Sequence, residues 1–280
     1  MPKGNESLAE TSVHWDLHPD GIWRHMDHPA VSYPEDGSAT CFQVEEHSFW
    51  FQHRNILIQS LVQQFAGHSQ FFDVGGGNGF VTKSLQDAGV RATLVEPSVQ
   101  GVVNARKRGV VDVVQSMWSP EIVRPECAAA VGLFDVVEHI QDDVGFLKGV
   151  HQTLAPNGLV FITVPALHCL WSYEDVHAGH FRRYRLGELQ RLLIRTGFKV
   201  EYSSYFFSML PLPIFALRSV PSFLGLRKAP NAESMENEHS NANGIAGRMM
   251  DRWLRWEQGR VAALKTIWTG SSCVIVGRKI

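Results

Sequence analysis

Cysteine is scarce. Cys41, Cys127, Cys169 and Cys273 are the only four in 280 residues, and no two form a CxxC pair. Neither a disulfide framework nor a zinc knuckle is therefore suggested. Charge of one sign is missing too: 26 Lys and Arg against 28 Asp and Glu give a formal net charge of −2. No overall basic field points to nucleic acid, although a local patch stays open. The opening MPKGNESLAE lacks a basic region followed by an apolar run, so it does not read as a secretory signal. The longest greasy stretch, Tyr205 to Leu226, is broken by Pro211, Pro213, Pro221 and Arg218, which argues against a spanning helix. A cytoplasmic enzyme fits these absences. What is present is a hydrophobic share of 44%, enough for a sizeable core. The length suits one large α/β domain with additions, or two small ones.

Residues 1–40 are polar and irregular and read as an N-terminal extension. From Val44 to Ala66, Phe49, Trp50, Leu57, Leu61, Val62 and Phe65 recur at helical spacing, with Gly67 as the stop. The pattern then alternates. QFFDV (70–74) is a short apolar strand, and Phe80 to Ala88 is a helix closed by Gly89. RATLVE (91–96) is the second strand, Ser98 to Arg108 is helical, and DVVQSMW (112–118) holds the third strand. AAAVGLFD (128–135) is the fourth. A helix over Asp143 to Leu154 leads through a Pro156-Asn157-Gly158 turn to the fifth strand, LVFITV (159–164). Leu186 to Thr196 is helical, and FKVEYSSYF (198–206) is the sixth strand. Such alternation predicts a mostly parallel sheet with helices on both faces. Residues 228–247, rich in Asn, Glu, Ser and Gly, read as a linker or mobile loop. Arg248 to Ile267 is then helical, and SSCVIVGRKI (271–280) makes a late final strand.

The central signal is Asp73-Val74-Gly75-Gly76-Gly77-Asn78-Gly79, directly after a strand and opening a helix. Glycines let the backbone turn sharply and let a ligand approach the main chain, while free N–H groups at the helix start face it. A dinucleotide loop wants G-x-G-x-x-G. Counted from Gly75, its third glycine falls on Phe80, so the loop is G-x-G-x-G instead. No Gly-Lys-Ser/Thr follows, which excludes a P-loop. Glu96 ends the second strand about 20 residues on, where a carboxylate can accept from both hydroxyls of a ribose.

These residues resemble class I S-adenosylmethionine-dependent methyltransferases, most closely the branch of ubiquinone-type, small-molecule methyltransferases. The resemblance covers about residues 44–206 and the final strand. FFDVGGGNG is similar to the family's first motif and TLVEPS to its second. LFDVVEHIQD resembles the segment after the fourth strand, and LAPNGLVFITVP the L-x-P-G-G turn and fifth strand, with Asn157 replacing a glycine. The implied fold is a Rossmann-like, seven-stranded, mostly parallel α/β sheet with the last strand antiparallel and an N-terminal helical extension. Its expected parts are an extension and covering helix (1–66), the cofactor-binding core (67–206), an apolar cap and flexible linker (207–247), and a C-terminal helix with the final strand (248–280). The resemblance places Asp73, Gly75, Gly76, Gly77, Asn78 and Gly79 around the methionine part of S-adenosyl-L-methionine. Glu96, followed by Pro97, would hold the ribose. Ser116 and Met117 stand where the family makes adenine contacts, though its frequent Asp is absent. Phe134 and Asp135 would close the floor near the methionine moiety. Trp50 and Arg54 resemble helix residues that cover the cofactor, Arg54 as a partner for its carboxylate; simple core packing is the competing reading for Trp50.

A sulfonium makes its methyl group electrophilic, so the protein must hold a nucleophile in line and exclude water. A general base is needed only for a hydroxyl or a protonated amine. Among 13 histidines, His139 follows the fourth strand, and His177 and His180 lie after the fifth in YEDVHAGHFRRY, on the edge where ligands bind. With Tyr184 they are the catalytic candidates; the competing reading has His180 to Tyr184 merely docking the next helix. Asp135, Glu138 and His139 have spacing that suits a divalent cation, but D-V-x-E-H is widespread in relatives without a metal, so no metal ligand is assigned. Residues 205–226 suit a cap over an apolar or lipid-like acceptor, or peripheral contact with a membrane surface. The expected activity is methyl transfer to an O or N atom of a small molecule, with no nucleic-acid partner. The competing readings are an NAD-dependent oxidoreductase and a cofactor-binding module without catalysis.

Overall fold

The computed structural model describes residues 6–12, 14–25, 42, 44–226 and 244–280. Among these, the strands are β1 (Trp15–Leu17), β2 (Trp23–His25), β3 (Gln70–Val74), β4 (Arg91–Val95), β5 (Val113–Gln115), β6 (Ala128–Phe134), β7 (Leu154–Pro165), β8 (Phe198–Phe206) and β9 (Ser272–Lys279). They form one sheet in the order β1-β2-β5-β4-β3-β6-β7-β9-β8. From β2 through β7 neighbours pair parallel, while β9 runs antiparallel between β7 and β8. The Rossmann-like α/β sheet with a late antiparallel strand is thus present, widened to nine strands.

Successive side chains of a strand point to opposite faces, and both faces here are covered. Phe72, Val131 and Ile162 pack on one side with Leu147 and Val150 of α5 and Leu189 and Leu193 of α7. Phe71, Ala130 and Phe161 pack on the other with Leu57, Leu61, Val81, Leu85, Leu254 and Val261. Among the described residues the helices before β8 are α1 (Glu6–Thr11), α2 (Phe49–Phe65), α3 (Phe80–Asp87), α4 (Val99–Lys107), α5 (Asp143–Thr153), α6 (Tyr173–His177) and α7 (Leu186–Arg195); α8 (Gly244–Ala262) precedes the last strand. Side-chain oxygens of Ser48, Ser98 and Asp142 cap α2, α4 and α5, which fixes where each begins.

Four elements differ from the sequence expectation. The N-terminal extension supplies β1 and β2, which cover the edge that β5 would otherwise expose. Trp15 and Trp23 are buried there, so the extension is more than helical. The third strand keeps only Val113–Gln115, because Ser116 leaves the ladder to bond Trp15. The Pro156-Asn157-Gly158 turn is a bulge inside β7, where Leu154 to Leu159 faces only Ala128 to Ala130; Asn157 takes φ 63°, a conformation Asn tolerates in place of glycine. Helix α8 starts at Gly244 rather than Arg248 and ends at Ala262 rather than Ile267, with Leu264 in the left-handed region at φ 54°. Of the expected linker, 228–243 lies outside the described residues, as do Cys41 and 26–40 of the extension.

Because β3 through β8 share one direction, the residues following each gather on one edge. That edge holds the glycine loop, Glu96, Ser116, Asp135, the stretch after Pro165 and the apolar segment after Phe206. It is where ligands bind in an open α/β sheet.

Candidate active site

The turn between β3 and α3 carries φ values of 70°, 54° and 72° at Gly75, Gly77 and Gly79. At Gly77 a Cβ would meet nothing within 4 Å, so bare main chain faces open space there. Gly79 serves packing instead: its Cβ would lie 2.8 Å from both Ala105 and Val110, which only glycine avoids. Asn78 is buried and braces the turn, accepting from Asn104 Nδ2 at 2.9 Å, while its carbonyl accepts from Arg108 at 3.0 Å.

Glu96 is 6% exposed at the end of β4. Its two carboxylate oxygens accept from the Gly77 and Ser98 N–H groups, at 2.9 and 2.8 Å. The loop and the carboxylate thus fix one another. A carboxylate has about four acceptor sites, so lone pairs remain for two hydroxyls. Burial raises its pKa against those two hydrogen bonds. Pro97, half-buried, turns the chain from β4 toward α4.

Asp73 lies under the loop, fully enclosed. Thr82 donates to its Oδ2 at 2.6 Å, and Oδ1 has no hydrogen-bond partner. Burial pushes its pKa up to about 6. A Cβ at Gly76 would strike this carboxylate at 2.6 Å. Arg54 reaches the site from α2, donating to the Phe134 carbonyl at 3.1 Å. Its Nε sits 2.7 Å from Asp135 Oδ2, off the direction of the N–H. Asp135, at φ 58°, also accepts from Thr163. Arg54 and Asp135, both expected at the methionine part of the cofactor, are therefore partners of one another. Trp50 holds Arg54 over its ring at 5.4 Å and stacks on Phe207 at 5.5 Å, so packing and site lie on the same side chain. Phe134 stacks on Phe71 in the core. Ser116 is committed: it accepts from the Trp15 indole at 3.1 Å and donates to the Met117 carbonyl, whereas the Met117 side chain is exposed.

The segment that begins the second cluster meets the loop: Val136 Cγ2, two residues before Glu138, would be 2.8 Å from a Cβ on Gly75. Glu138 is fully buried, and neither carboxylate oxygen has a hydrogen-bond partner. Burial, then the nearby Asp135, raises its pKa well above the usual range. Ligand atoms of Glu138, His139 and His180 all lie within 4.8 Å of one another. The rings of His139 and His180 meet edge to face at 4.7 Å. His180 Nδ1 lies 2.9 Å from Asp175 Oδ1, to which Arg183 also donates at 2.8 Å. Burial would raise the Asp175 pKa, but those partners outweigh it and hold the carboxyl below its ordinary value. An ionised carboxylate only accepts, so His180 Nδ1 carries a proton directed at Asp175. His139 donates to the Gly179 backbone, and burial, then His180, lowers its pKa to about 4. The cluster thus sets two imidazoles beside a buried carboxyl whose oxygens have no hydrogen-bond partner. It can take up a positive charge: a proton, an ammonium group or a metal ion.

Two catalytic candidates fall outside this cluster. Tyr184 is buried, its hydroxyl donates to Asp143 at 2.9 Å, and burial followed by Asp143 pushes its pKa far up. That bond ties it to α5, apart from the two histidines. His177 is exposed on α6 and stacks on Tyr173. Asp175 and Glu138 are the groups the sequence reading underused. Asp175 had a signal: with Ser172 it forms the capping box of α6.

Sheet order, bare loop and strand-end carboxylate together define a class: a Rossmann-like transferase whose cradle suits a nucleoside with a main-chain-hugging tail. Residues 50–203 match the model of a methyltransferase domain, which is more than half of the chain. The chain belongs to that methyltransferase family, and its cofactor is S-adenosylmethionine. It is 25% identical over 171 residues to a Mycolicibacterium smegmatis protein named as a probable S-adenosylmethionine-dependent methyltransferase, covering 60% of this chain and 66% of the relative. A ubiquinone biosynthesis O-methyltransferase of Xanthomonas oryzae is 27% identical over 101 residues, covering 34% of this chain and 42% of that protein. The match thus spans under two thirds of either relative's length. In fold, the chain is similar to the plantazolicin methyltransferase BamL in complex with a triazolic desmethylPZN analog and SAH, with a TM-score of 0.52 at 15% identity over 89% of this chain and 92% of that one. The cradle fits the cofactor: Gly77 leaves room for it and Glu96 offers free lone pairs.

Proposed function

We propose that this protein methylates an O or N atom of a small acceptor with an apolar body. The observation carrying this reading is the His139–His180–Glu138 cluster, which begins two residues beyond Val136, the side chain that meets the glycine loop. Bound S-adenosylmethionine supplies an electrophilic methyl group. Glu96 holds the ribose hydroxyls, and the Gly75–Gly79 backbone lies along the methionine part. Trp50 and Arg54 cover it from α2. His139 takes the proton from the acceptor's hydroxyl or ammonium, and the ionised Asp175, bonded to the adjoining His180, offsets the charge gained. An apolar acceptor follows from the segment after β8, which leaves the same edge and exposes Leu212, Leu217 and Phe223. In this scheme His177 and Tyr184 have no chemical step.

A methyl-transfer assay across phenols, amines, sugars and lipids, with wild type and His139→Ala, tests the reading. Turnover of a hydroxyl or amine acceptor that drops in the variant, with cofactor affinity retained, supports it. Turnover unchanged in the variant removes His139 as the base. Cofactor binding with no acceptor turned over favours the non-catalytic reading.

A further inference from the structure

Helix α8 buries Leu254, Glu257 and Val261 against the body of the protein and turns a different set of residues outward. Arg248, Arg252 and Arg255 are exposed there against one acid, Asp251. Between them stand Trp253 and Trp256, 45% and 48% exposed, with ring centroids 5.3 Å apart. Trp268 follows at 86%. Exposed tryptophans cost apolar area in water, and a helix face combining them with arginine is the composition that settles in a headgroup layer.

This face is continuous with a second apolar surface. Trp253 donates to Ser208 Oγ at 2.9 Å, and Glu257 accepts from the Phe207 and Ser208 N–H groups at 2.9 and 2.6 Å. From Ser208 the chain enters three short helical turns, Pro211–Ile214, Phe215–Ser219 and Val220–Phe223. Phe223 is 91% exposed. Among the described residues no helix is long and apolar enough to cross a membrane, so these groups offer a surface and not a span. Together they exceed the scattered apolar exposure that needs no explanation.

We propose that the outward face of α8 and the adjoining 211–226 segment dock on an anionic phospholipid surface. Charge selects this occupant, because three exposed arginines match phosphate headgroups, while the tryptophans and Phe223 enter the boundary of the acyl chains. A second copy of the chain would have to bring those arginines face to face. The docking is independent of which acceptor is methylated, and it sets the carboxyl edge of the sheet beside the lipid.

The test is vesicle flotation of the full chain, with phosphatidylcholine alone and with phosphatidylglycerol mixed in, at low and high salt. Wild type is expected to float with the anionic vesicles, and more weakly at high salt. Arg252→Glu/Arg255→Glu should weaken this at least about tenfold, and Trp256→Ala should weaken it at both salt levels. Each variant should keep the wild-type melting temperature and S-adenosylmethionine affinity, which separates docking from folding and from the methyltransferase reading. Failure of wild type to float with anionic vesicles, or equal flotation of the double variant, would overturn the proposal. So would a concentration-dependent dimer that Trp256→Ala abolishes in a protein that does not bind vesicles.

Discussion

Two glutamates, Glu96 and Glu138, stand a few residues beyond neighbouring parts of the same sheet, and they are built oppositely. Both are buried, and burial raises both pKa values. Glu96 accepts two backbone hydrogen bonds from the loop it serves. Glu138 accepts none and faces two histidines instead. A satisfied carboxylate is a fixed part of a binding surface, since moving it breaks bonds already made. An unsatisfied one is a cost that a cation or a proton removes. The Glu96 side is therefore organised before anything binds, while the Glu138 side leaves a buried carboxyl without a hydrogen-bond partner.

The largest expected effect breaks the comparison on the acceptor side. His139→Ala should lower turnover about 10²- to 10⁴-fold, the usual contribution of a general base. Cofactor affinity, read by calorimetry, should stay the same. Next comes the cofactor side. Gly77→Val puts a side chain into the open face at φ 54°, and should weaken S-adenosylmethionine roughly a hundredfold or more through strain and blockage together. A loss confined to turnover in that variant would mean the cofactor does not pass over Gly77.

A pH series sharpens the contrast. With its pKa lowered to about 4, His139 is neutral at every pH above that value, so the base should stay available down to about pH 5. A rate that halves near the ordinary histidine value of about 6.5 would place the proton elsewhere. Asp73 makes a stability counterpart. Its folded pKa of about 6 exceeds the model-compound 3.8, so the folded state binds the extra proton between these values. Stability from this group is full below about 3.8 and falls as pH rises through 6, by about 3 kcal/mol at most. Urea unfolding of wild type and Asp73→Asn at pH 4 and pH 7 should show a decline that is larger in the wild type, by up to that amount.

The smallest effect concerns the sheet edge. Trp15→Phe removes one buried hydrogen bond to Ser116, worth about 1 kcal/mol. The melting temperature should drop by a few degrees with turnover unchanged.

The same contrast explains what could be read from sequence. Asp73 to Gly79 and Glu96 are legible because their geometry comes from adjacent backbone and one neighbouring strand; a short string carries it. Glu138 and His180 meet across a connection whose course no local pattern dictates, so the sequence put Glu138 with Asp135 while the fold gives Asp135 to Arg54. Tyr184 looked reactive beside two histidines, yet its burial against Asp143 is a tertiary fact. Strands β1 and β2, three residues each, are too short for any periodicity to show. Asn157 kept its glycine-like backbone, and there the substitution itself was the clue.

Calorimetric titration asks whether Glu96 and the bare loop form a cradle for S-adenosylmethionine. Wild type should bind S-adenosylmethionine and give no heat with NAD, and Glu96→Ala should bind S-adenosylmethionine roughly ten- to a hundredfold more weakly. Binding of NAD alone, or wild-type affinity in Glu96→Ala, would contradict it.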